Sequence, residues 1–130
     1  MTRSLPLADL VRVTERPLPR PWPRLGDGPQ LEYEFWIGDE RCGRLVLAVE
    51  SHWIGYVEVE PEWRGIGLGM LLHALVAARH GGWLTLELEC SPSESRTIDA
   101  LVRAGWRRWW LPANDSGTRY YQGIAPGAAP

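Results

Sequence analysis

The chain has 130 residues, 45% of them hydrophobic and 23% charged, with a formal charge of −2. Such a chain makes one domain with a core of its own, and its scattered arginines form no basic stripe for a nucleic acid to follow. No apolar run approaches a membrane span, the N-terminus carries no signal-peptide core, and the only cysteines, Cys42 and Cys90, offer no disulfide framework. A cytoplasmic protein with neither membrane nor nucleic acid as partner is therefore expected.

Leu5 to Val13 fits either a first strand or a short helical turn, because its apolar spacing suits both. Pro17, Pro19, Pro21, Pro23 and Pro29 then forbid a regular helix or a central strand as far as Gln30. This Pro-rich segment, 1–30, reads as a covering loop with Trp22 packed down, or alternatively as a Pro-rich binding motif. Leu31 to Ile37 and Arg44 to Glu50 alternate apolar and polar residues, and with Gly38 to Gly43 between them they form a β-hairpin. Ser51-His52-Trp53 turns the chain into a strand from Ile54 to Glu60. Gly55, Val57 and Val59 share one of its faces; Tyr56, Glu58 and Glu60 share the other.

Pro61 turns that strand into Arg64-Gly65-Ile66-Gly67-Leu68-Gly69, and a helix is expected from Met70 to His80, stopped by Gly81-Gly82. Leu71, Leu72, Leu75, Val76 and Ala78 give it an apolar face; His73 belongs on its surface. Three alternate glycines at a strand-to-helix junction leave backbone N–H groups unobstructed, and the helix behind them turns its positive end toward the loop. The combination suits a phosphate or pyrophosphate. A Walker A loop is excluded because the chain contains no lysine. A dinucleotide fingerprint fits poorly: Met70 stands where its third glycine belongs, although Glu87 and Glu89 lie about 20 residues on, where a ribose-binding acid is expected.

Trp83 to Cys90 repeats the strand pattern, with Leu84, Leu86 and Leu88 opposite Thr85, Glu87 and Glu89. A right-handed crossover makes it a neighbour of the Ile54–Glu60 strand. Glu58, Glu60, Glu87 and Glu89 would then share a rim, and crowding would raise at least one of their pKa values; a solvated sheet face is the plainer reading. Ser91 to Ser95 is a polar loop, Arg96 to Ala104 a helix ended by Gly105, and Trp106 to Leu111 a strand. The last strand runs from Thr118 to Ile124, and 125–130 is a flexible tail. The domain thus spans 1–124, and most of the tryptophans are core fillers.

Val59-x-Pro61-Glu62-Trp63-Arg64-Gly65-Ile66-Gly67-Leu68-Gly69 resembles the acyl-coenzyme A loop of the GCN5-related N-acetyltransferase (GNAT) family. The family pattern is Arg/Gln-x-x-Gly-x-Gly/Ala, and Arg64, Gly67 and Gly69 fall on its fixed positions. The order of elements over residues 43 to 122 is also similar. The resemblance implies an α/β (α+β) fold with a mixed, mostly antiparallel central sheet and flanking helices, the N-terminal helices being shortened or absent here. The sheet is expected to split near the carboxyl end of the Ile54–Glu60 strand.

The resemblance further implies acetyl-coenzyme A as cofactor, held by Val57, Val59, Arg64, Gly65, Ile66, Gly67, Leu68, Gly69 and Met70, with no metal. The reaction would be transfer of an acetyl or short acyl group to a primary amine of a small molecule or peptide; a homodimer is compatible with it. Counting back from Gly105, Glu89 falls where some relatives carry a glutamate base. Leu101 replaces the tyrosine that often protonates the thiolate, and Glu94 replaces an asparagine that often contacts the cofactor. Tyr120 or Tyr121 on the last strand is the expected substitute acid; His52 and His73 are weaker candidates. The alternative is a non-catalytic acyl-coenzyme A-binding or interaction module on the same fold.

Overall fold

A computed structural model describes residues 7–87, 92–110 and 120–128, with side chains at 7–86, 96–107 and 123–128. Helix α1 (Leu7–Leu10) is a single turn leading into β1 (Val11–Pro17), so the ambiguous first segment contains both a helical turn and a strand. Then come β2 (Gln30–Ile37), β3 (Glu40–Ala48), β4 (Trp53–Val59), α2 (Leu68–Ala78), β5 (Trp83–Glu87), α3 (Pro92–Arg103), β6 (Arg107–Trp110) and β7 (Tyr120–Ile124). The strands form one open sheet in the order β1-β2-β3-β4-β5-β7-β6. All pairs are antiparallel except β4 with β5, which are parallel and joined through α2. The fold is α+β with a mixed, mostly antiparallel sheet. Among the described residues no helix is long and apolar enough to cross a membrane.

Alternation along the strands sorts side chains onto two faces. Tyr33, Phe35, Leu45 and Leu47 meet Leu68, Leu72 and Val76 of α2 and Leu101 of α3 in the main core. Full burial of each such aliphatic side chain contributes about 1.5–3 kcal/mol. The opposite face, carrying Val46 and Ala48, is covered by Leu18, Trp22 and Leu25. Those residues belong to the Pro-rich segment, which lies across the sheet as a strap, as the covering-loop reading expects. Gln30, only 4% exposed, organises the strap. Its Oε1 accepts from the Trp22 amide at 2.7 Å, and its Nε2 donates to the carbonyls of Trp22 (2.9 Å) and Gly26 (3.2 Å). Pro17 is tolerated because β1 is an edge strand.

Two bulges depart from the simple alternation. In β3, Phe35 pairs with Gly43 and Trp36 with Arg41, so Cys42 is the extra residue and the hairpin closes early, at Gly38-Asp39. The longer Gly38 to Gly43 connection expected above is mostly strand. In β4, Val46 pairs with Tyr56 and Leu47 with Ile54, leaving Gly55 as the extra residue. The bulge lets Ile54 and Val57 both face the main core while Trp53 and Tyr56 face the strap. Gly55 is needed there because a Cβ would stand 2.5 Å from Leu25 Cδ2.

The remaining differences lie at element ends. Helix α2 starts at Leu68, so Gly69 is helical. Helix α3 starts at Pro92, a residue whose fixed φ and missing N–H suit a first turn. The expected tail is anchored at its start, because the Ala125 amide donates to the Gly82 carbonyl (2.8 Å) and Arg107 Nη2 to that of Ala128 (2.6 Å).

Candidate functional site

At the carboxyl end of β4, Pro61–Trp63 forms one 3-10 turn and Arg64 folds back, its Nε donating to the Val59 carbonyl at 2.9 Å. Gly65 (φ 81°) and Gly67 (φ 84°) then take left-handed conformations, and neither has any atom within 4 Å of where a Cβ would sit. They are glycines for their backbone angles, and the space above them is open. Gly67 is the N-cap of α2 and supplies no side-chain cap, so the first-turn amides are free to meet an anion. Gly69 has a different reason to be glycine: a Cβ there would lie 2.9 Å from Thr97 Oγ1, so α3 approaches α2 closely at this point.

This loop opens onto a cleft of about 620 Å³. One wall is β4 from Tyr56 to Val59, the floor is the loop with Leu68, Gly69 and Met70, and the far wall is Arg96, Thr97 and Ala100 of α3. Among the described residues β4 and β5 share one register pair, Trp53 with Thr85, at the end of β4 away from the loop. Beyond it none of the described residues of β5 pairs with β4, and the backbone groups of Val57 and the Val59 amide stand on that edge, where an extended ligand with amides of its own could meet them. Of the expected cofactor residues, Val57, Val59, Arg64, Gly65, Gly67, Leu68, Gly69 and Met70 line the cleft. Ile66 does not; it is 53% exposed. Arg96, which sequence reading missed, adds a second guanidinium. Nothing in its local sequence marks it, since its place depends on the approach of α3 to α2.

Of the expected acidic rim, the side chains of Glu58 and Glu60 are the described ones. Glu58 lines the cleft and accepts a hydrogen bond from the Tyr56 hydroxyl, which holds its carboxyl below the usual range, aided by the charges of Arg41 and Arg44. Glu60 is paired with Arg41 at 3.2 Å. At Glu58 the Tyr56 hydroxyl, a hydrogen bond with Glu60 and two guanidinium groups outweigh the rise that burial causes. The side chain of Glu87 and the whole of Glu89 and Glu94 lie outside what is described, Glu94 apart from its helical backbone.

Tyr120 and Tyr121 are placed by backbone only, opposite Glu87 and Leu86. That puts the start of β7 beside the carboxyl end of β5, the end at which β4 carries the loop. Leu101 is a core residue, 2% exposed.

The histidines do not join the cleft. His73 is buried at 3% exposure, where a surface position was expected. Its Nδ1–H donates to the Gly69 carbonyl one turn earlier (2.7 Å), and burial pushes its pKa down. The apolar face of α2 is broader than its leucines alone indicate, and this satisfied imidazole takes a place in it, whereas Ala78 is exposed. His52 is a turn residue as expected, at the other end of β4 from the loop.

Chemically, the cleft joins an anion-holding end, made of free amides with Arg64 and Arg96, to an apolar stretch of Val57, Val59 and Ala100. At its β4 wall stands an ionised carboxylate. An elongated ligand with an anionic head and an amide-bearing arm fits that order. No protein-family model matches the chain, and no curated protein sequence matches it either.

Proposed function

We propose that this protein transfers an acetyl or short acyl group from coenzyme A to a primary amine of a small molecule or peptide, on a fold of the GNAT type. The observation that carries the reading is the junction of β4 with α2: two left-handed glycines lead into an uncapped helix at the mouth of the cleft that β5 leaves open. Amides from Gly65 to Met70 hold the pyrophosphate, Arg64 and Arg96 add charge at its edge, and the edge of β4 at Val57 and the Val59 amide takes the pantetheine arm.

The amine nitrogen attacks the thioester carbonyl, a C–N bond forms and the C–S bond breaks. A carboxylate takes the amine proton and the thiolate leaves with another. Glu89 is the base by resemblance, with Tyr120 or Tyr121 as the acid; Glu58, ionised and in the cleft wall, is the described carboxylate that can serve if Glu89 does not. Incubation with acetyl-coenzyme A and a panel of primary amines should release free thiol with at least one acceptor. The second reading, a binding module without turnover, is favoured by the burial of Leu101 at the position of the usual acid. Coenzyme A binding with no thiol release across the panel would select it.

A further inference from the structure

The cleft has a closed end as well as an open one, and the closed end is built on one residue. His52 is the one residue other than glycine with a positive φ (55°) among those described. Its carbonyl accepts the Thr85 amide at 2.7 Å, its Nδ1–H donates to the Trp83 carbonyl at 2.9 Å, and its ring stacks on Trp83 with centroids 3.6 Å apart and planes 10° from parallel. The preceding carbonyl, of Ser51, accepts from Thr85 Oγ1 at 2.7 Å. All of these contacts reach β5, and they surround the one register pair that joins β4 to β5 among the described residues. A left-handed conformation is strained for a residue other than glycine and persists where its surroundings over-determine it.

We propose that His52 is a positioning residue: it pins β5 to β4 at the closed end of the cleft and so fixes the angle at which the two parts of the sheet diverge toward the glycine loop. Among the described residues neither strand pairs with the other past the pin, so a small rotation there is carried along β4 to Val57 and the loop. A ring stacked on one strand and a carbonyl bonded to the same strand restrain rotation as well as separation, which a single hydrogen bond would not. The binding part of the test rests on the coenzyme A reading; the geometric part does not.

The test compares His52→Asn with His52→Gly. Asparagine tolerates the left-handed region and presents an amide donor where Nδ1–H stands; glycine keeps the backbone angle and loses both donor and ring. In His52→Gly, Thr85 amide exchange should accelerate about tenfold or more, and the amide resonances of Val57 and Gly67, at the far end of β4, should shift. Coenzyme A should then bind about fivefold or more weakly, whereas His52→Asn, which keeps a donor but loses the stack, should restore all three readouts in part. If His52→Gly does not fold, Trp83→Leu removes the stack, keeps the backbone bond, and should give the same pattern more weakly. Unchanged Val57 and Gly67 resonances despite fast Thr85 exchange would reduce His52 to a local structural residue and overturn the proposal, as would unchanged Thr85 exchange. If the wild type binds no coenzyme A, the functional reading fails, and the resonances alone still decide the role of His52.

Discussion

Gly67 and Arg64 separate two ways of holding an anion. Gly67 sits at φ 84° with open space around it, so a β-branched residue there is strained and also fills the loop that the amides face. Arg64 is exposed and already bonded to the Val59 carbonyl, so its charge acts through solvent. Gly67→Val should abolish coenzyme A binding in a protein that still folds, and Arg64→Ala should weaken it several-fold only; calorimetric titration of the two variants measures the order, and the reverse order would transfer the anion site to the side chains. The base can be separated in the same way. Glu89→Gln should lower catalytic efficiency by about 10²-fold or more and remove the acidic limb of its pH profile. If instead Glu58→Gln has that effect and Glu89→Gln does not, the proton goes to the cleft-wall carboxylate that Tyr56 holds ionised.

At the scale of elements, the strap and the β4 bulge form one device. Leu25 fills the space above Gly55, and Arg24 Nη2 donates to the Gly55 carbonyl. A Gly55→Ala side chain would meet Leu25 Cδ1 and Cδ2 at 2.8 and 2.5 Å, and Leu25, 7% exposed, has little room to yield. The loss should be about 1–3 kcal/mol by urea unfolding, as for other overpacked sites, and Leu25→Ala in the same chain should relieve part of it. Wild-type stability for Gly55→Ala alone would mean that the strap does not hold the bulge.

The same elements show what the residues disclose by themselves. Alternation from Leu31 onward disclosed β2, β3 and β4 and the faces of Val57 and Glu58. It could not disclose the bulges at Cys42 and Gly55, which arise from pairing between strands. The three glycines of the loop looked alike in sequence, yet two serve backbone angles and Gly69 serves the contact with α3. That contact, and with it Arg96, is set by tertiary packing. A polar residue inside a helix ordinarily belongs on the surface, and the local hydrogen bond of His73 to Gly69 that permits its burial is invisible until the helix is built.

For the whole molecule, acid is the natural probe. Burial is the main cause that pushes down both His73 and His80; His52 and Arg79 add to it at His80, while Gly69 and Glu15 respectively oppose it. Both imidazoles are thus favoured neutral in the folded protein, and the unfolded chain takes up protons more readily. Their contribution is fully present above the unfolded value of about 6.5 and is lost as pH falls through it toward the folded values. The melting temperature should therefore drop between about pH 7 and pH 5.5, before carboxylates such as Glu32 titrate. His73→Leu, which keeps a buried side chain of similar size, should flatten that drop; an unchanged slope would assign it to other groups.

The central claim is that the junction of β4 and α2 is a coenzyme A site, and titration of the intact chain with acetyl-coenzyme A, followed by heat and by melting temperature, tests it most directly. A ligand that binds only the folded state must stabilise it, by about 2.7 kcal/mol at a hundredfold excess over Kd. Saturable one-to-one binding with a rise in melting temperature, both absent in folded Gly67→Val, is the result expected. No binding by the wild type at millimolar ligand, or equal binding by Gly67→Val, would contradict it.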